Sequence, residues 1–87
     1  MLLKFDISKI DSLVASVRNY GLYAATIHLD DKAYAVESMH YIPIDDIIVF
    51  LRPYVLFNGT YWATIFHNGT VCYLNEVFMD KMLEIKC

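Results

Sequence analysis

The sequence predicts an α+β fold: a two-layer antiparallel sheet with helices on one face, built from a duplicated helix-hairpin unit and completed by a C-terminal helix. Three observations predict it. The string Ile10-Asp11-x-Leu13-Val14-x-x-Val17-Arg18-x-Tyr20 returns as Ile44-Asp45-x-Ile47-Ile48-x-x-Leu51-Arg52-x-Tyr54. A second string, Tyr23-Ala24-Ala25-Thr26-Ile27, returns as Tyr61-Trp62-Ala63-Thr64-Ile65 after a longer connection, as a loop insertion would leave it. Around these strings the apolar spacing switches between helical and strand periods. On this reading residues 1–87 form one domain with repeats at approximately 8–42 and 43–79. The matched Arg and Tyr positions, which neither period demands, favour a duplication over chance likeness.

Leu2–Ile7 is a short apolar segment and reads as a first strand. Ser8 offers an N-cap oxygen, with Asp11 in the capping-box position, to a helix whose apolar face is Ile10, Leu13, Val14 and Val17. Gly21 suits a left-handed end to that helix. Leu22–Asp30 alternates as a strand, Asp31-Lys32 makes a tight turn, and Ala33–Ile42 returns as its partner. Pro43 fits the first turn of a second helix with the stripe Ile44, Ile47, Ile48 and Leu51, ending before Pro53. Thr60–His67 and Thr70–Asn75 flank Asn68-Gly69, the residue pair that type I′ hairpin turns prefer. Asn75 would then cap a third helix with the stripe Phe78, Met79, Met82 and Leu83. Counting the leading strand, this order resembles the split strand-helix-strand duplication of ferredoxin-like folds, a likeness of fold that carries no function.

Composition narrows the function classes. The hydrophobic share is 57% and the charged share 20%, which favours an ordered domain with apolar surface left for an interface. Net charge is −3 and the seven Lys and Arg are scattered, so no basic cluster exists to meet a phosphate backbone, and nucleic acid is not an expected partner. Asp6 interrupts what would be a signal core. The longest apolar run, Ile47–Leu51, falls far short of the roughly 20 residues that span a bilayer. The expected compartment is the cytoplasm, without membrane association.

Several residues invite chemical readings. Arg18 and Arg52 occupy matched positions and, under pseudo-twofold symmetry, would converge on a small anion; a cation satisfying a helix C-terminus is the simpler role. His28, His40 and His67 are too far apart in sequence for a metal motif, and Cys72 and Cys87 have no ligand or disulfide spacing. Cys72 alternates into an apolar strand face and reads as an inert core thiol. Asp30-Asp31 and Asp45-Asp46 sit where turns and helix starts favour Asp. With three glycines and no phosphate loop or nucleophile elbow, no enzyme, metal or cofactor is expected.

The sharpest candidate is one face of the second hairpin. An Asn68-Gly69 turn sets Phe66 opposite Val71, Thr64 opposite Tyr73, and Trp62 near Asn75. Tyr61, Ala63, Ile65, Cys72 and Leu74 then meet the helical layer, and Trp62, Phe66, Val71 and Tyr73 point away from it. Ala24 and His28 stand at the aligned positions of Trp62 and Phe66 in the first repeat, so the aromatic face is specific to the second. The expected function is a small non-enzymatic protein-binding module, an inhibitor or adaptor of the kind that phages and mobile elements carry, docking through these four residues. The alternatives are a dimeric small-anion sensor using Arg18 and Arg52, and a structural homo-oligomer joined by the aromatic face.

Overall fold

The computed structural model describes residues 1–9, 21–29, 34–57 and 59–86. The strands are β1 (Leu2–Phe5), β2 (Gly21–Leu29), β3 (Tyr34–Pro43), β4 (Ile48–Phe57), β5 (Thr60–His67), β6 (Thr70–Asn75) and β7 (Met82–Ile85); the helix α1 spans Glu76–Met79. The strand pairs among the described residues are antiparallel, in one sheet of order β3-β2-β6-β5-β4-β1-β7. The expected α+β two-layer architecture is therefore overturned. Among the described residues the fold is a curled half-barrel sheet, and no helical layer covers one face.

The curl follows from connectivity. β3 and β4 are four inter-strand steps apart, about 19 Å across a flat sheet at ~4.8 Å per step. Five residue steps join Pro43 to Ile48, worth about 17 Å if fully extended. They are not extended, because the Asp46 N–H donates to the Pro43 carbonyl at 3.1 Å in a tight turn. The sheet must bend to let the chain cross, and bending creates an inside. Leu3, Phe5, Leu22, Ala24, Ile42, Ile48, Ile65, Cys72, Leu74 and Met82 fill it. Sheet curvature thus buries the core that periodicity alone assigns to helices. α1 closes part of it, with Phe78 and Met79 against the cluster and the Phe78 ring edge-on to Phe5 at 6.5 Å.

The second predicted helix is a turn and a strand. Its stripe Ile44, Ile47, Ile48 and Leu51 satisfies helical spacing, but Ile47-Ile48-Val49-Phe50 is a β-branched and aromatic run that suits a pleated surface equally well. Burial resolves the two periods: Ile44 and Ile48 are buried, while Ile47 and Leu51 are exposed. Pro53 is tolerated because the β4–β5 register shifts between Arg52 and Val55, and the β1–β4 pairing reaches only Val49.

The third predicted helix is cut to one turn. Asn75 caps it as expected, its side-chain oxygen accepting from the Val77 N–H at 3.1 Å. The Lys81 N–H then donates to the Phe78 carbonyl, and Met82–Ile85 turns back as β7 along β1. A four-residue ladder with β1 wins over continued helix, burying Met82 and leaving Leu83 exposed. The body of the first predicted helix, residues 10–20, lies outside the described residues, as do the Asp31-Lys32 turn and Arg18. What is described before it is a 3₁₀ turn at Ile7–Lys9, where Asp6 accepts from the Ser8 N–H and hydroxyl; the expected Ser8–Asp11 capping box lies outside the described residues. Those bonds, the hydroxyl's first, hold the Asp6 carboxyl below its ordinary range. The second copy of the first repeat string thus starts in a turn and continues as β4; the first copy falls within residues 10–20.

Candidate functional site

The β5–β6 hairpin has the register that its turn chemistry specifies. Asn68 and Gly69 both have positive φ, 49° and 82°, as a type I′ turn requires. Trp62 is then paired with Asn75, Thr64 with Tyr73, and Phe66 with Val71. Ala63, Ile65, Cys72 and Leu74 point to the core, whereas Tyr61, expected with them, is exposed beside Tyr54 with ring centroids 6.4 Å apart. Partial burial, then Asp80 and Glu76, push the Tyr54 phenol above its ordinary value.

Trp62, Phe66, Val71 and Tyr73 lie on the outer face of the curled sheet. Directly opposed residues share a face, so the pairs Met39–Ala25, Ala25–Tyr73, Tyr73–Thr64 and Thr64–Arg52 define one outer row across five strands. Ala25 and Thr64 are buried in this row, between larger neighbours. Phe66 and Val71 are 37% and 48% exposed, and Trp62 and Tyr73 are half-buried. The aromatic character does not stop at the second hairpin. Tyr23 pairs with Tyr41 on the same face, their rings 5.1 Å apart and Tyr23 61% exposed. Ala24, aligned with Trp62 by the repeat, points instead into the core. The repeat alignment therefore matches residues on opposite faces, which is why it misses Tyr23 and Tyr41. Strand alternation from the buried Leu22 and Ala24 is the signal that would have found Tyr23.

Charge is sparse on this face. Arg52 and Lys4, the latter paired with Leu83, are the charged side chains at outer positions with a described register. Arg52 is exposed at a register shift in β4, not at a helix end.

A second constellation was not legible from sequence. His40 Nε2 lies 2.8 Å from His67 Nδ1, and His67 Nε2 lies 2.8 Å from Asp46 Oδ2. β3 and β5 are not sheet neighbours. His40 is opposite Ala24, and in a flat sheet it would sit about 19 Å from His67, three strand spacings across and four residues along. Curling brings the rings together with centroids 5.0 Å apart. His67 is 6% exposed and Asp46 47% exposed, so the link runs from the interior to the surface of the β3–β4 turn. Both His67 nitrogens are engaged by hydrogen bonds, and among the described residues no group of three or more His, Cys, Asp or Glu side chains is arranged to hold a metal ion.

Cys72 is fully buried, and desolvation pushes its thiol up to about 11. At pH 8 only about one thiol in a thousand is thiolate, so native Cys72 reacts slowly. In a Cys87→Ser variant, a disulfide-exchange reagent at pH 8 is expected to label Cys72 at least ~100-fold faster after denaturation; equal native and denatured rates would contradict the burial.

Among the described residues no helix is long and apolar enough to cross a membrane. Compared with known proteins, the chain matches no family model, no curated protein and no solved structure.

Proposed function

We propose that this chain is a small non-enzymatic protein-binding module, an inhibitor or adaptor, that docks on a partner protein through the outer face of its sheet. Trp62, Phe66, Val71 and Tyr73 form the centre of the contact, and the Tyr23–Tyr41 pair extends it. The observation that carries the reading is an aromatic and aliphatic face left open by the described fold, with Phe66 and Val71 substantially exposed. Exposed apolar side chains gathered on one face are costly in water and are characteristic of interaction sites. Flat aromatic anchors provide contact area with little side-chain entropy to lose.

A second copy of the chain is the alternative occupant, favoured by the scarcity of charge on the face: two molecules of net charge −3 repel least where no acid faces acid. Light scattering and affinity capture with wild type and a Trp62→Ala, Phe66→Ala double variant separate the readings. The double variant is expected to retain the fold and to bind its partner at least about 30-fold more weakly, equivalent to ~2 kcal/mol. A wild-type dimer that becomes monomeric identifies self-association. Equal recovery of the same partner by both proteins, with unchanged oligomeric state, places the contact elsewhere.

A further inference from the structure

We infer, resting on the outer face as the docking surface, that the partner is a different protein, one that sets an Asp or Glu carboxylate against Arg52 within an otherwise apolar contact. Arg52 lies directly opposite Thr64 on the outer face. Trp62 and Phe66 flank Thr64 on that face of β5, so both are diagonal neighbours of Arg52, roughly 7–8 Å away and within reach of a long side chain. The Arg52 side chain is exposed and makes no hydrogen bond, ion pair or ring contact with any described residue. A lone arginine on a polar surface needs no partner, but this one borders the aromatic centre of the contact. Docking there strips water from the guanidinium, and a charge left unpaired in a dry contact is costly. A carboxylate replaces the lost hydration with two parallel charge-assisted bonds, which the planar fork fits.

The face holds no such carboxylate of its own. Lys4, the other charged side chain at an outer position with a described register, is also cationic. Among the described side chains the acids lie elsewhere. Asp6 follows β1, Asp45 and Asp46 are in the β3–β4 turn, Glu76 and Asp80 belong to α1 and its C-terminal cap, and Glu84 is opposite the buried Leu3. A symmetric pair of copies uses one patch twice, so it brings two Arg52 and no acid into the contact. Scarcity of charge lets two copies approach, yet leaves each guanidinium without a counterion. An apolar patch that carries one acid removes that penalty. Arg52 then acts as a selector, because a neutral apolar surface fits the rings but leaves the arginine unpaired.

The test uses 2-naphthylacetate, an apolar ring bearing a carboxylate, and its neutral amide, 2-naphthylacetamide, on the full chain. NMR titrations follow the signals of Trp62, Thr64 and Phe66. The acetate is expected to bind at these residues at least about 5-fold tighter than the amide, the scale of one exposed charge pair. Arg52→Gln is expected to lose this preference and Arg52→Glu to reverse it, and both should fold because the side chain is exposed. Rising salt should shrink the wild-type preference. Equal binding of the two probes, or a preference that survives in Arg52→Gln, would overturn the carboxylate assignment and leave the docking face standing. If neither probe shifts Trp62 or Phe66, the docking face fails and the assignment with it. A wild-type dimer that the Trp62→Ala, Phe66→Ala double variant dissolves would put a second copy on the face, and so overturn the choice of a different protein.

Discussion

Replacing Gly21 by Ala is expected to lower the melting temperature by about 10–20 °C, one of the largest effects of any single substitution here. Gly21 opens β2 opposite Pro43 with φ +134°, a conformation that side chains rarely adopt. A Cβ there would also collide with the Ile42 carbonyl oxygen and lie 2.9 Å from both the Pro43 Cα and the Tyr41 hydroxyl. Two of these atoms are backbone and cannot swing aside. Strain and displacement together cost about 2–3 kcal/mol, and each kcal/mol is worth roughly 4–8 °C in a domain this small. Thermal denaturation followed by circular dichroism measures it. A melting temperature within about 3 °C of wild type would mean that β2 and β3 do not approach as described.

Ile65→Ala should cost about 2–5 kcal/mol, whereas Phe66→Ser should cost about 1 kcal/mol or less. The two residues are neighbours in β5 with opposite fates. Ile65 is fully buried in the core, and Phe66 is on the outer face between Val71 and Val49. Removing Ile65 leaves a cavity that the bent sheet cannot collapse without losing its register. Removing Phe66 forfeits mainly cross-strand contact. Denaturant midpoints at constant slope report the two values. Equal losses would show that both faces of β5 are sealed, which would remove the docking face as well as the one-sided core.

Where local chemistry has one solution, the fold was legible. Asn68-Gly69 admits a two-residue turn with positive φ at both positions, and that turn sets the β5–β6 register and hence which side chains share the outer face. The strand at residues 2–5 was readable as a short apolar segment, and those at 21–29 and 34–43 from alternation and the turn between them. Ile44–Leu51 and Phe78–Leu83 were not, because a short apolar run satisfies both periods and only available partners choose between them. β5 and β1 offered ladder partners to β4, and β1 offered one to β7.

The sequence alone determined the second hairpin, its register and the outward set Trp62, Phe66, Val71 and Tyr73, since turn geometry and strand alternation are local. Tertiary structure decided the rest. It made one curled sheet enclose the core, joined Tyr23 and Tyr41 to the outer face, and brought His40 against His67 and Asp46. The physical reason is that a connection too short to cross a flat sheet forces curvature, and curvature creates contacts between strands that neither pairing nor spacing reveals.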